Sequence, residues 1–266
     1  MTTTLTILGC GSSGGVPRIG GDWGDCDPAN PKNRRRRCSL MLDRTTAQGT
    51  TRLLIDTSPD LRDQMLSEGV GAIDGVWYTH EHADHTHGID ELRGFYLRQR
   101  QRVPIWADQP TMAMLQNRFA YCFQSPVGSD YPPTLIPHMI EPGVAMKIAG
   151  AGGKISATPF LVHHGNIDVL GFRFGGAAYT PDLNGIPDSS MSQLENLDIW
   201  IVDALKRTPH GSHFALGETL AWIARLKPKR AVLTNMHIDM DYDTLWRELP
   251  GGIEPAYDGM RLQLDD

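Results

Sequence analysis

Thr79-His80-Glu81-His82-Ala83-Asp84-His85 follows the apolar run Gly75-Val76-Trp77-Tyr78, and the fold turns on how that junction is read. Valine, tryptophan and tyrosine favour a pleated, buried surface, so residues 75–79 read as a strand. A histidine just past such a strand projects off the carboxyl edge of its sheet. A tight turn through His80, His82, Asp84 and His85 then gathers three of the chain's ten histidines and a carboxylate. Imidazole and carboxylate are ligands for zinc, manganese or iron, and no thiolate interrupts the set. The donors are too many for a single ion.

Working outward, other polar residues recur at strand ends. Asp56 follows Leu54-Ile55, and His163-His164 follows Phe160-Leu161-Val162. Asp182 follows Tyr179-Thr180-Pro181, Asp203 follows Ile201-Val202, and His237 lies just past Val232-Leu233-Thr234. Open sheets present their functional groups at such termini, so these residues are expected on one common rim. Near the start, residues 5–8 form a strand that ends in Gly9-Cys10-Gly11-Ser12-Ser13-Gly14-Gly15. Ser12, Ser13 and Gly14 read either as a loop whose N–H groups bind phosphate or as a simple chain reversal. The stretch lacks the Lys-Ser/Thr of a phosphate loop and the helix of a dinucleotide fingerprint.

The remaining periodicity predicts strands at 39–42, 52–55, 103–106, 144–148, 154–160, 170–174, 177–179, 199–202, 230–233 and 260–264. Helices are predicted at 60–69, 89–100, 111–122, 216–226 and 242–249, with an irregular excursion over 17–37 and a Pro-rich link after 122. Several strands precede each helix, unlike a barrel or a doubly wound sheet. Two mixed sheets packed face to face with helices outside, an α/β sandwich, fit better, and 266 residues suit one such domain over 1–266.

With 40% apolar and 21% charged residues the chain is of globular composition. A formal charge of −6 argues against broad nucleic-acid binding, which runs on clustered cations. Arg34-Arg35-Arg36-Arg37 stands against that trend and reads as an exposed, solvated run, with a phosphate or a second subunit as alternative partners. No membrane span or signal segment is recognisable, and four cysteines do not make a secreted disulfide framework. The expected compartment is the cytoplasm. The oligomeric state is left open, a homodimer included.

The pattern resembles the metallo-β-lactamase superfamily, whose signature Thr-His-x-His-x-Asp-His is matched at every specified position by Thr79 to His85. A closer likeness is to the carbon–phosphorus lyase pathway phosphodiesterases, the PhnP type. It is carried by Leu8-Gly9-Cys10-Gly11 with Gly15-Val16-Pro17, by Arg37-Cys38-Ser39, and by Asp182-Leu183-Asn184-Gly185-Ile186-Pro187. The resemblance implies a four-layer αββα sandwich and two divalent ions, zinc or manganese with iron not excluded. It implies His80, His82 and His164 on one ion, Asp84, His85 and His237 on the other, and Asp182 bridging. Asp84 and Asp182 would thus be catalytic as well as ligating, and Asp56 and Asp203 would orient imidazoles.

The implied activity is a phosphodiesterase acting on a small phosphorylated substrate, such as a cyclic ribose phosphate or nucleotide. Two ions about 3.5–4 Å apart can clamp a phosphoryl group and share the attacking hydroxide. His213 sits where the family keeps a histidine outside the metal shell, as general acid or phosphate ligand, with His210 as competitor. A tRNA 3′-processing ribonuclease, a lactonase or thioesterase, and a non-catalytic carrier share the fold and remain alternatives.

Two departures stand out. The family commonly has histidine directly after the Leu-Thr of the late strand, where this chain has Asn235, so His237 is expected to reach back as ligand. Relatives also build a structural zinc site from several cysteines before the Arg run. Here Cys26 and Cys38 alone remain, too few for a closed four-ligand site without other donors.

Overall fold

In a computed structural model, which describes residues 1–264, the chain folds into two seven-stranded sheets packed face to face. The first half contributes β1 (Thr2–Gly9), β2 (Ser39–Thr46), β3 (Gly49–Ile55), β4 (Gly75–Trp77), β5 (Val103–Ala107) and β6 (Leu135–Met139). The second contributes β7 (Met146–Gly150), β8 (Gly153–His164), β9 (Ile167–Phe174), β10 (Ala177–Thr180), β11 (Ile199–Asp203), β12 (Arg230–Thr234) and β13 (Ile253–Pro255). A last strand, β14 (Met260–Leu264), returns to pair with β1 at the edge of the first sheet.

Each half runs the same course. β1 to β3 form an antiparallel meander, after which β4, β5 and β6 add in parallel. Likewise β7 to β10 are antiparallel, and β11, β12 and β13 follow in parallel. Parallel strands need crossovers, and helices supply most of them. Helices α1 (Leu61–Ser67), α2 (Ala83–Thr86), α3 (Leu92–Gln99), α4 (Gln109–Arg118) and α5 (Ala120–Phe123) serve the first sheet. Helices α6 (Leu216–Leu226) and α7 (Tyr242–Glu248) serve the second.

Alternation along the strands divides the core into layers. Leu5, Ile7, Leu40, Leu42, Leu53 and Ile55 point between the sheets, where they meet Phe160, Val162 and Phe172. Their neighbours Leu8, Met41 and Leu54 point the other way, onto Leu61, Met65, Leu92 and Phe95 of the helices. Trp77 lies at the centre, fully buried, its ring 5.7 Å from Phe172 and stacked 6.1 Å from Phe174. Such aromatic contacts each contribute roughly 0.5–1.5 kcal/mol beyond area burial.

The predicted strands and helices are present, with three differences. Residues 135–139, expected to be a link, form edge strand β6, where Pro137 needs no N–H on the outer side. β13 is a three-residue strand without a periodic signal. The helix expected over 111–122 breaks at Phe119. Among the described residues no helix is long and apolar enough to cross a membrane.

Candidate metal centre

The carboxyl ends of β3, β4, β10, β11 and β12 lie along one edge of the sandwich, and the polar residues that end them converge there. Past β4 the chain makes a tight turn and enters α2, the one-turn helix that carries Asp84 and His85 on the rim. The turn is anchored from below by Asp56. Its fully buried carboxylate accepts hydrogen bonds from the Thr79 N–H (2.7 Å) and the Thr79 hydroxyl (2.8 Å). It also lies 2.8 Å from Nδ1 of His85, which fixes the ring so that Nε2 faces the cleft. The Thr79 hydroxyl holds Nδ1 of His80 at 2.9 Å in the same way.

Two groups of donors result. One nitrogen or oxygen from each of His80, His82, His164 and Asp182 falls within 4.8 Å of the others, and the same holds for Asp84, His85 and Asp182. Asp182 belongs to both, and its two oxygens divide between them. Oδ2 lies 3.8 Å from Nε2 of His80 and 3.8 Å from Nε2 of His164. Oδ1 lies 3.1 Å from Nε2 of His85, but off the hydrogen-bond direction. His82, exposed at the mouth, has Nδ1 3.2 Å from Nε2 of His164, whose Nδ1 is tied to the Ser212 carbonyl at 2.6 Å.

The electrostatics describe a site short of positive charge. Burial, with the neighbouring His85, pushes His80 well below the usual imidazole range. Burial also pulls on His85, but Asp182, Asp84 and Asp56 outweigh it and hold this imidazole well above that range. For Asp182 burial is overcome chiefly by His85, and the carboxyl stays far below its ordinary value. Nε2 of His80 and Nε2 of His85 are buried without a hydrogen-bond partner, an arrangement that costs about 1–3 kcal/mol per group unless something satisfies it. Lone pairs of imidazole and carboxylate aimed at a shared space fit divalent cations, which His80, His82, His164, Asp182, Asp84 and His85 could hold.

The structure does not bring His237 into either group. Asn235 ends β12 in the left-handed region (φ 60°), and Met236 and His237 are then bound through their N–H groups to the Cys10 and Leu205 carbonyls. His237 is thereby held at the cavity mouth, its Nδ1 3.3 Å from Asp239 and its Nε2 against the Arg18 guanidinium. Burial and that guanidinium lower its basicity. The residue beside the centre is Asn235, whose Nδ2 lies 3.3 Å from Oδ1 of Asp182.

His213 borders the cluster, with its ring centroid 4.5 Å from His164 and Nε2 3.9 Å from Oδ2 of Asp182. Its Nδ1 is 2.7 Å from Asp203, which also accepts the Leu183 N–H. Burial opposes its protonation, but the Asp203 hydrogen bond wins and lifts His213 to about 9. Asp203 is itself pushed up to about 7 by burial. His210 is exposed, next to Ser212, with its ring centroid 5.3 Å from His213.

Beside the cluster opens a cavity of about 180 Å³ lined by Ser12, Ser13, Arg18, Asp84, Lys206, His210, His213, Asn235 and His237. Among the described residues neither Arg18 nor Lys206 has a carboxylate partner. Sequence reasoning passed over both cations, because nothing local marks them. The glycine-rich loop needs correcting. Ser12 donates its N–H to the Met236 carbonyl and so cannot offer it to an anion, and Gly14, beside the Arg18 side chain, is not among the residues that line the cavity. Only the Ser12 and Ser13 side of the loop reaches the cleft.

The Arg run is not a solvated patch. Arg34 is exposed beside Trp23, but Arg36 pairs with Asp258 at 2.9 Å and Arg37 with Asp60 at 3.0 Å. Arg35 is buried at 2% exposure, bonded to the Met240 carbonyl (2.6 Å), Asn33 and the Cys26 sulfur. The segment is extended and bridges to Val16 and Gly11, which alternates its side chains between inside and outside. Cys26 therefore faces Arg35, while Cys38 faces the Gly11 carbonyl and the Thr234 hydroxyl.

A sandwich of two seven-stranded sheets with this histidine corner defines a class, and the chain belongs to the metallo-beta-lactamase superfamily: the family model for a beta-lactamase superfamily domain matches residues 51–238. Within it the chain falls in the PhnP family. It is 37% identical to a crystal structure of a new diphosphatase from that family, with a TM-score of 0.88, covering 99% of this chain and 98% of the other. Zn²⁺-bound PqqB from Methylobacterium extorquens has the same fold (TM-score 0.73, 19% identity, 98% of this chain and 100% of that one). A curated relative, an octanoyltransferase of Porphyromonas gingivalis, is 28% identical over 265 residues. These are 98% of this chain, which spans about half (51%) of that protein.

Proposed function

We propose that the protein is a metal-dependent phosphodiesterase acting on a small phosphorylated substrate. The observation that carries this reading is the junction of the His/Asp cluster with a cavity that holds two cations, Arg18 and Lys206, lacking acid partners. A neutral acyl substrate has no use for such charges, whereas a phosphodiester offers anionic oxygens to a bidentate guanidinium and an ammonium. Divalent cations held by His80, His82, His164, Asp182, Asp84 and His85 would supply Lewis acidity, offsetting phosphoryl charge and making water more acidic.

The chain's own residues do the rest. Arg18 and Lys206 hold the phosphoryl oxygens, and the half-enclosed cleft limits access of solvent. His213, charged at neutral pH with Asp203 on Nδ1, presents the Nε2 proton to the leaving alkoxide. The acidic surface charge and a cavity of about 180 Å³ favour a small diester over an extended nucleic acid.

A second reading, an acyl thioesterase, is favoured by one observation: the likeness to half of an octanoyltransferase. A single substrate panel on protein of known metal content separates the two. It would contain a cyclic ribose phosphate, 2′,3′- and 3′,5′-cyclic nucleotides, a tRNA precursor, a lactone and an octanoyl thioester. Turnover confined to the small phosphodiesters is expected, and preferential hydrolysis of the thioester would replace this reading with the second.

A further inference from the structure

We infer that the two cation positions are unequal, and that Asn235 makes the second a weak, oxygen-rich position that fills only at higher free metal. The inference rests on reading this corner as a cation centre and goes beyond it to the individual donors. The first group is complete by itself: three imidazoles and one oxygen of Asp182, the makings of a four-coordinate site. The second owns only one imidazole, His85, with Asp84 and the other oxygen of Asp182.

A further donor lies within reach of the second group at the end of β12, where the residue is Asn235. It is buried at 1% exposure, lines the cavity, and meets the same Asp182 oxygen that faces His85. His237 is unavailable, being held at the cavity mouth by Arg18 and Asp239. A half-turn of the Asn235 carboxamide puts its oxygen where its nitrogen now stands. That oxygen is a neutral, hard donor, suited to magnesium or manganese and poor for zinc, for which imidazole is the better ligand. Local backbone geometry agrees: φ of 60° is a region where asparagine is enriched.

The first group offers three imidazoles and the second one, and these are direct ligands, so the difference exceeds that from disturbing an outer partner. The second ion is therefore expected to bind at least about 100-fold more weakly than the first. The test is metal stoichiometry, read by intact-protein mass spectrometry and elemental analysis after equilibrium dialysis against buffered free Zn²⁺ or Mn²⁺. Wild type should keep one ion per chain at low free metal and gain the second only when free metal is raised about 100-fold. Asn235→His, which that backbone region also tolerates, should bring the second zinc affinity toward the first. Asp84→Asn, which touches only the second group, should abolish the second ion and leave the first.

Two ions held within tenfold of each other by wild type would overturn the inference, as would an Asn235→His protein whose second affinity does not rise. Binding of no ion at all would instead defeat the reading of the centre, and no substrate is needed to tell these outcomes apart.

Discussion

Asp56→Ala probes the anchor beneath the histidine turn. The wild-type carboxylate is fully buried and serves the Thr79 N–H, the Thr79 hydroxyl and Nδ1 of His85. Alanine leaves the N–H of Thr79 and Nδ1 of His85 buried without partners, at about 1–3 kcal/mol each, while the Thr79 hydroxyl keeps His80. It also places a residue with Cβ but no polar side chain at φ 63°, which costs about 1–2 kcal/mol. Against these stands relief from burying a carboxylate, since burial raises the pKa of Asp56. The net expectation is a loss of about 3–5 kcal/mol. Asp56→Asn preserves an acceptor for Thr79 but turns an amide N–H₂ toward His85, so it should cost about half as much. Urea unfolding of metal-free protein measures both, and zinc titration should show a further 10–100-fold loss where His85 is no longer oriented. Metal-free Asp56→Ala with a stability within about 1 kcal/mol of wild type would refute the reasoning.

Other expectations follow from the same geometry. His213→Ala should keep its metal content and lose about 10²–10⁴-fold in kcat on an unactivated alkyl diester. An aryl diester should be far less affected, since phenolate leaves without a proton. Gly88→Ala would drive a Cβ to 2.0 Å from the Ser58 carbonyl, so steady-state kinetics and thermal melting should both report displacement of the adjoining α2. Arg35→Met removes the bond to the Met240 carbonyl that fastens the 17–37 excursion to the loop after Asn235. Limited proteolysis should then cut between residues 17 and 37 faster than in wild type. Asp241 is pulled upward by burial, but the N–H groups of Thr244 and Asp27 and the Asn33 amide prevail and hold it at about 2. A depressed carboxylate stabilises the fold above its unfolded value near 3.9 and loses that contribution as the pH falls through about 2. The stability gap between wild type and Asp241→Asn, measured by urea unfolding, should therefore be full at pH 6 and close between about pH 4 and pH 2.

Much of this was legible in the sequence because strand ends carry the chemistry. Asp56, His80, Asp182 and Asp203 each follow an apolar run, and the sheets set those ends side by side. Local pattern failed where a backbone bond decides the outcome. His237 is two residues from a strand end, yet the left-handed turn at Asn235 and the N–H bonds of Met236 and His237 keep it out of both donor groups. Four consecutive arginines look like a solvated run, but extended backbone sends Arg35 inward and gives Arg36 and Arg37 carboxylate partners distant in sequence. The same distance hides Arg18 and Lys206, which become significant only once the fold sets them across one cavity. β6 was invisible because edge strands need neither alternation nor a free N–H.

The most direct measurement is diffraction from crystals grown with Zn²⁺, recorded on both sides of the zinc absorption edge. Strong anomalous density should lie among His80, His82, His164 and Asp182, with a weaker peak bounded by Asp84, His85, Asp182 and Asn235. Crystals at saturating zinc with no anomalous peak within coordination distance of those side chains would contradict it.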